Sequence, residues 1–188
     1  ECIDLIEKIE GKRTEAICNW EIGGSNGLSG LWCACKLNLP FVDLDTLGRA
    51  YPTIWQSVAS VVNNYRAYPY ATLSNGNGYK ITFNEVGDDF QLEDAYRDCL
   101  ARQGCHGGCA NPSCDIEQLR RENILDTVSL SWRIGRAVLI SRKSSDLDNI
   151  PKRIIDAYGG PNTAKCLMTA KIIGVEKKLK GGYGYGIV

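Results

Sequence analysis

The sequence has 188 residues, of which 44% are hydrophobic and 23% are charged, a composition that is ordinary for a globular protein and argues against a disordered chain. Lys and Arg together number 22, as do Asp and Glu, so no net charge favours binding to nucleic acid or to an acidic membrane surface. No apolar run approaches the roughly 18 to 20 residues of a membrane span, and no signal-peptide pattern is present, so we expect a soluble protein.

The first third of the chain predicts a βαβ unit. In chain order, the patterns predict a helix over 2–10, a strand over 14–22, a helix over 26–37 and a strand over 39–44. Gly11 ends the first helix, and Ser25 or Asn26 caps the second. Two strands that flank a helix within about thirty residues must be parallel and are joined by a right-handed crossover. This part of the chain is therefore expected to be α/β.

The rest of the chain predicts a mixture of helices and strands. Val58, Val61 and Val62 favour a strand within residues 51–63, and a turn at 74–78 separates two short strands. Further helices are predicted over 91–102, 123–142 and 146–158, and further strands over 165–177 and 183–188, around a turn at 180–182. The predicted fold class is α/β, with an N-terminal βαβ unit of parallel strands followed by an α+β portion with a β-rich C-terminal end.

The sequence contains no internal repeat and no low-complexity linker that would mark a domain boundary. The change in pattern places a boundary between residues 63 and 79. This predicts an α/β part over residues 1–63 and an α+β part over residues 64–188, although one continuous domain would explain the same pattern.

Acidic residues follow both strands of the predicted βαβ unit. Glu21 lies at the end of the first strand, and Asp43 and Asp45 lie at the end of the second. Because the carboxyl ends of adjacent parallel strands meet at one sheet edge, we expect these carboxylates to converge with Arg49. Such a cluster is unfavourable unless it binds a cation, takes up a proton or pairs with the arginine, so its members commonly have shifted pKa values and chemical roles.

The glycine-rich loop EIGGSNG has two explanations. Gly23 and Gly24 would let a substrate approach the backbone, and the helix that starts at Asn26 would present free N–H groups to an anion. The same residues suit a structural role, in which Glu21 caps the helix, the aspartates lie in turns and Arg49 is a counter-ion. The spacing alone leaves both explanations open.

The chain contains nine cysteines, and their odd number and spacing do not fit a small disulfide scaffold, so we expect reduced thiols in a cytoplasmic protein. The segment CLARQGCHGGCANPSC groups four of them with the single histidine, His106. This segment offers ligands for a tetrahedral zinc site, but it lacks the usual CxxC pairs. Structural thiols are the favoured interpretation, with zinc binding or a reactive thiol as the alternatives, for Cys99, Cys105, Cys109 and Cys114.

Three stretches of the sequence resemble the DUF917 family, which includes S-methyl thiohydantoin desulfurase and is often encoded with or fused to hydantoinase/oxoprolinase proteins. The stretch EIGGSNG followed by LNLPFVDLDTLGRAYP is similar to the family pattern E-(I/V)-G-G-x-N and then L-G-L-P-(V)-(V)-D-x-D-x-(M)-G-R-A-(F)-P. DTVSLSWRIGRAV and KIIGVEKKLKGGYGYGIV resemble two later family segments. The positions that match the first pattern are Glu21, Gly23, Gly24, Asn26, Asp43, Asp45, Gly48, Arg49 and Pro52.

The resemblance implies a hydrolase that acts on a hydantoin, a thiohydantoin or a related cyclic amide. In its mechanism, Asp43 or Asp45 would activate water, directly or through a divalent metal, in a site shared with Glu21. Arg49 would hold a substrate carboxylate or a developing oxyanion, and the N–H groups of the glycine pair would help to stabilise that anion. The implied catalytic residues are Asp43, Asp45 and Glu21, and the implied substrate-binding residues are Gly23, Gly24, Asn26 and Arg49.

A non-catalytic role is the alternative function. In it, the chain is a module that binds a small acid or helps to assemble a hydantoinase/oxoprolinase complex, and either a homo-oligomer or a hydantoinase-type partner is compatible with this role. The sequence also departs from the family pattern: Thr53 stands where the family tends to have Glu, and Ser29 and Gly30 stand where it tends to have Pro. Because the family's glycine-rich N-terminal segment is missing, we expect the sequence to be a fragment of a longer protein.

Overall fold

The computed structural model describes residues 1–180 and 183–188, so two glycines of the predicted turn at 180–182 lie outside the described residues. The chain divides into two compact units, Glu1–Ser131 and Trp132–Val188. Both helices and strands build it, which confirms the α/β class. No helix in the described ranges is long and apolar enough to cross a lipid bilayer.

The helices are α1 (Cys2–Glu10), α2 (Asn26–Leu37), α3 (Val58–Val62), α4 (Asp89–Arg102), α5 (Ile116–Glu122), α6 (Thr127–Lys143) and α7 (Ile150–Tyr158). The strands are β1 (Leu44–Asp45), β2 (Ala71–Ser74), β3 (Lys80–Phe83), β4 (Gly108–Ala110), β5 (Ile124–Leu125), β6 (Glu176–Lys180) and β7 (Tyr183–Ile187). A short 3-10 helix occupies Ile54–Gln56. Every predicted helix is therefore confirmed, with ends that differ by a few residues, whereas α5, β4 and β5 were not predicted.

The predicted βαβ unit is reduced to a single parallel bridge between Ile17 and Phe41, on either side of α2. The Ile17 N–H donates to the Pro40 carbonyl, and the Val42 N–H donates to the Ile17 carbonyl. Every pairing between the strands named above is antiparallel. The two extended parallel strands of the prediction are thus not formed in the described part of the chain.

Side-chain hydrogen bonds replace strand pairing in the segment before α2. Asn19 is fully buried, its Nδ2 donates to the Gly27 carbonyl at 2.8 Å, and its Oδ1 accepts from the Gly30 N–H at 3.0 Å. A Cβ on Gly30 would collide with the Asn19 amide, so glycine permits this approach. The Ile22 N–H donates to Asp45 Oδ2. The segment is therefore held against the helix by a buried amide and is not free to extend as a strand.

The core of the N-terminal unit surrounds a three-stranded antiparallel sheet of order β3-β2-β4. All four residues of the central strand β2 are buried. The predicted turn between β2 and β3 is confirmed, and Asn75 Oδ1 accepts the N–H groups of Asn77 and Tyr79 in it. The buried apolar residues that pack together are Ile54, Ala59, Tyr68, Ala71, Leu73, Leu92 and Tyr96.

Two strand predictions are wrong. The valine-rich stretch that includes Val58 forms a 3-10 helix and α3, because the Ser57 side chain accepts the Ser60 N–H and so caps α3, which outweighs the β-propensity of valine. In the C-terminal unit, residues 165–175 form no strand. Strands β6 and β7 pair with each other over their full lengths, and this hairpin confirms the β-rich end of the prediction.

Candidate functional site

The EIGGSNG loop encloses the carboxylate of Glu21, which is 8% exposed. Glu21 Oε1 accepts a hydrogen bond from Asn26 Nδ2 at 2.7 Å, and Oε2 accepts one from the Tyr51 N–H at 2.9 Å. A Cβ on Gly23 would lie 2.5 Å from Oε1, so glycine leaves the space that the carboxylate occupies. The pattern Glu-x-Gly-x-x-Asn therefore orients one buried acid.

Asp45 connects the turn after β1 with Ile22, the residue next to Glu21, through hydrogen bonds. Its carboxylate is completely buried, with Oδ1 accepting the Gly48 N–H at 2.8 Å and Oδ2 accepting the Ile22 N–H at 3.1 Å. Burial raises the pKa of the Asp45 carboxyl above its usual value, and the hydrogen bond from Gly48 offsets part of this rise. Gly48 has a φ of 80°, a left-handed conformation that favours glycine. The turn and the loop are thus held together through one side chain.

Asp43 and Arg49 point to other neighbours. Asp43 Oδ1 accepts the N–H groups of Val128 at 2.9 Å and Ser129 at 3.1 Å, which are among the first N–H groups of α6. A carboxylate at this position satisfies otherwise unpaired amides and stabilises the positive end of the helix dipole. Arg49 is exposed, and its Nε donates to the Ala50 carbonyl at 3.3 Å.

Two of the predicted site residues, Glu21 and Asn26, line a cleft of about 210 Å³ in the N-terminal unit. The other five predicted residues are not part of its wall, namely Gly23, Gly24, Asp43, Asp45 and Arg49. Among the five, Asp45 is hydrogen-bonded to the backbone beside Glu21, whereas the carboxylate of Asp43 binds the start of α6. The catalytic roles expected for the two aspartates stay predictions.

A second buried carboxylate, that of Glu93 on α4, lines the same cleft and is 7% exposed. Glu93 Oε2 accepts the Ile54 N–H at 2.7 Å, and Oε1 accepts Arg97 Nε at 2.5 Å. Arg97 also donates to the Pro52 carbonyl. The short segment 51–54 therefore connects the two acids, because its first N–H binds Glu21 and its last binds Glu93.

Apolar and aromatic side chains complete the cleft wall, including Trp20, Leu73 and Leu100. Burial raises the pKa of Tyr51 and of Tyr96, both of which line the cleft, so their hydroxyls stay protonated near neutral pH. The Tyr51 hydroxyl is hydrogen-bonded to Thr46, and the Tyr96 hydroxyl donates to Asn111 Oδ1 at 3.2 Å. The two hydroxyls are thus engaged within the protein, and the carboxylates are the main charged acceptors of the cleft.

The cysteine-rich segment does not assemble a metal site in the described residues. No group of three or more His, Cys, Asp or Glu side chains that could hold a metal ion occurs in the described ranges. All nine cysteines are free thiols, and Cys105, Cys109 and Cys114 are exposed. His106 Nδ1 lies 3.0 Å from the Gly104 carbonyl. The zinc alternative for this segment is therefore not supported in the described residues, and Cys109 is one of the residues that line the cleft.

The sequence patterns did not single out Glu93 and Arg97 as site residues. Their spacing of four within the predicted helix over 91–102 favours an ion pair on one helix face, and this was the available signal. The spacing carries no information about the Ile54 N–H, which lies 39 positions away in the sequence. Only the packing of α4 against the 3-10 helix brings the pair to the cleft.

Two family models match the chain, one for each of two domains. The family model described as "S-Me-THD-like, N-terminal domain" matches residues 1–85, and the model described as "S-Me-THD-like, C-terminal domain" matches residues 87–188. No curated protein sequence matches the chain. The predicted boundary after residue 63 stays a prediction, since the family models and the two compact units divide the chain at different positions.

The X-ray crystal structure of a protein from Chromobacterium violaceum is among the solved structures that share the fold. The two structures superpose with a TM-score of 0.64 at 21% sequence identity. The match covers 80% of this chain and 43% of that chain, so this chain corresponds to less than half of the solved protein. The two family models together span nearly the whole sequence, and the chain therefore belongs to the S-Me-THD-like family, that is, the DUF917 family.

Proposed function

We propose that the chain is a cytoplasmic hydrolase that acts on a hydantoin, a thiohydantoin or a related cyclic amide, with Glu21 as the base that activates water. One observation carries this proposal: the residues Glu21 and Asn26 of the family pattern meet at a cleft, and Glu21 is buried there with a defined orientation. A positioned carboxylate beside a partly apolar cleft suits general base catalysis. The cytoplasmic location is supported by the nine free thiols.

For an S-methyl thiohydantoin, the proposed reaction replaces sulfur by oxygen at one ring carbon. Glu21 takes a proton from water as the water oxygen bonds to the carbon that carries the S-methyl group. The carbon–sulfur bond of the resulting tetrahedral intermediate then breaks, and the water oxygen remains as the new ring carbonyl. Of the two protons of the water, one ends on the ring nitrogen and the other on sulfur, so the products are hydantoin and methanethiol.

Within this proposal the two aspartates position other groups. Asp45 holds the backbone beside Glu21, and Asp43 holds the start of α6. The described residues supply no set of three metal ligands, so the proposed reaction includes no metal step. Arg49 is proposed to contact a substrate only if the substrate extends beyond the cleft wall, because Arg49 is not part of that wall.

Turnover by Glu21→Gln tests the proposal. The chain is incubated with S-methyl thiohydantoin, and hydantoin is measured by chromatography with mass detection, since a thiol reagent would also react with the protein's cysteines. We expect turnover to fall by about 10²-fold or more, and thermal unfolding shows whether the variant is still folded at the assay temperature. The matched control is Glu122→Gln, because Glu122 is another buried acid, paired with Arg121, that does not line the cleft. Full activity of Glu21→Gln would contradict the proposal.

A second candidate function is the non-catalytic binding or assembly module. The observation in its favour is that both oxygens of Glu21 already accept hydrogen bonds from the protein. A module that binds a small acid would bind hydantoin-5-acetic acid, measured by calorimetry, but would form no product from S-methyl thiohydantoin. The hydrolase proposal predicts that product, so the two measurements distinguish the functions.

A further inference from the structure

The second carboxylate of the cleft, that of Glu93, anchors the segment 51–54 through the Ile54 N–H and also lines the cleft. Glu93 lies on α4, a helix whose N-terminus is already capped by Asp88, which accepts the Gln91 N–H. Its partner Arg97 is about half exposed, so the carboxylate is the buried member of an ion pair that reaches the helix surface. Burying a carboxylate is unfavourable unless hydrogen bonds compensate for the lost water. A buried acid of this kind, facing a cleft, is a candidate for binding a ligand.

We propose that Glu93 is a ligand-binding residue and that Glu93 and Glu21 together select a neutral ring carrying N–H donors, such as a cyclic ureide or imide. This inference rests on the proposed function and names the chemistry that the cleft recognises. It assigns to Glu93 a contact with one ring N–H group and to Glu21 a contact with another part of the same ring.

Both carboxylates retain the capacity to accept hydrogen bonds from a ligand. An ionised carboxylate offers about four lone-pair positions on its two oxygens. At least one protein donor binds each oxygen of Glu21 and each oxygen of Glu93. These donors fix the orientation of the carboxylates, and we infer that a ligand in the cleft uses further lone pairs of the same oxygens. Hydrogen bonds from a neutral N–H to an ionised oxygen are among the stronger ones in proteins.

The size and the connectivity of the cleft suit a small ring. Its volume of about 210 Å³ equals the share of roughly seven liquid waters, which is comparable with a small heterocycle. The segment that joins the two acids runs from the Tyr51 N–H to the Ile54 N–H, and three residues span at most about 11 Å. Both acids line the same cleft, so a ligand bound in that cleft would lie beside both of them.

The charge of the cleft excludes a competing class of ligand. Two carboxylates and one guanidinium line it, so the side chains leave it with an excess of negative charge. A ligand that carries its own carboxylate would be repelled by Glu21 and Glu93. A neutral ring is not repelled, because its N–H groups donate hydrogen bonds to the same carboxylate oxygens. The cleft should accordingly prefer hydantoin itself to a hydantoin with an acidic substituent.

A panel of ligands with the wild-type chain tests the inference independently of any variant. The probes are hydantoin, 1-methylhydantoin, 3-methylhydantoin and hydantoin-5-acetic acid, with affinities measured by calorimetry. We expect methylation of at least one ring nitrogen, and the added acid, each to weaken binding at least tenfold, because they remove a donor or add a like charge. Equal affinities across the panel would overturn the inference.

A double-mutant cycle, which combines a protein variant with a methylated ligand, then shows which ring N–H group binds to Glu93. In Glu93→Gln we expect methylation at one ring nitrogen to weaken binding less than threefold. In Glu122→Gln the same methylation should weaken binding as much as in the wild type. A purely structural role of Glu93 would lower the melting temperature and leave the effect of methylation unchanged, which would overturn the inference. If the chain turned over S-methyl thiohydantoin but bound all four ligands with equal affinity, the inference about Glu93 would be overturned and the proposed function would not. Absence of both turnover and hydantoin binding would overturn the proposed function itself.

Discussion

A methyl group added at Gly23 should displace the Glu21 carboxylate and lower the stability of the N-terminal unit. The new Cβ would lie 2.5 Å from Glu21 Oε1 and 3.2 Å from its Cδ, so the carboxylate must move. Its hydrogen bonds to Asn26 and to the Tyr51 N–H would then lengthen or break. Loss of one hydrogen bond to a charged group costs about 1.5–3 kcal/mol. Alanine recovers about 0.4–1 kcal/mol by restricting the unfolded chain.

The expected net loss for Gly23→Ala is about 0.5–2.6 kcal/mol in the free energy of unfolding. For a chain of this size such a loss corresponds to a fall of about 1–10 °C in melting temperature. The neighbouring Gly24→Ala is the matched control, because a Cβ there would meet no atom within 4 Å. Urea and thermal unfolding of both variants give the comparison, and Gly24→Ala should match or exceed the wild type. If the two variants were equally stable, the packing of Gly23 against Glu21 would not constrain this loop.

Three further outcomes follow from the hydrogen bonds of the site. Asp43→Ala should lower stability by about 1 kcal/mol in urea unfolding, because the Val128 and Ser129 N–H groups lose their acceptor; unchanged stability would contradict this capping role. Burial raises the folded-state pKa of Asp45, so its contribution to stability falls as the pH rises from about 4 through that raised value. Asp45→Asn should therefore gain stability relative to the wild type in urea unfolding between about pH 4 and pH 7, and a constant difference would argue against the raised pKa. EDTA should leave the melting temperature unchanged, because the described residues form no three-ligand group, and a fall accompanied by released zinc would contradict this expectation.

Local patterns predicted the helices well because their signals lie within the helices themselves. The helix over 26–37 matches α2, with its apolar spacing and the left-handed Asn38 that ends it. The loop that orients Glu21 was also visible, since Glu21, Gly23 and Asn26 lie within six residues. Short-range sequence spacing determines these contacts, and so the sequence alone could identify them.

The parallel strands and half of the cleft depended on contacts that sequence spacing does not encode. The segment before α2 has the composition of a strand, but Asn19 binds the α2 backbone and Asp45 binds the Ile22 N–H. Both contacts are side-chain bonds to backbone groups, which compete with strand pairing. Glu93 joins the cleft through the N–H of Ile54, far away in the sequence. The position of Glu93 at the cleft could be recognised only from the packing of α4 against the 3-10 helix.

The two carboxylates of the cleft behave as one structural unit, because the segment 51–54 binds both. Glu21 depends on the position of the Tyr51 N–H, and that position depends on the anchoring of Ile54 by Glu93. Arg97 adds a third anchor through the Pro52 carbonyl. A change at either acid therefore alters the support of the other, so their energetic effects are not independent. This linkage explains why a helix remote in sequence from the EIGGSNG loop can determine where the acid of that loop points.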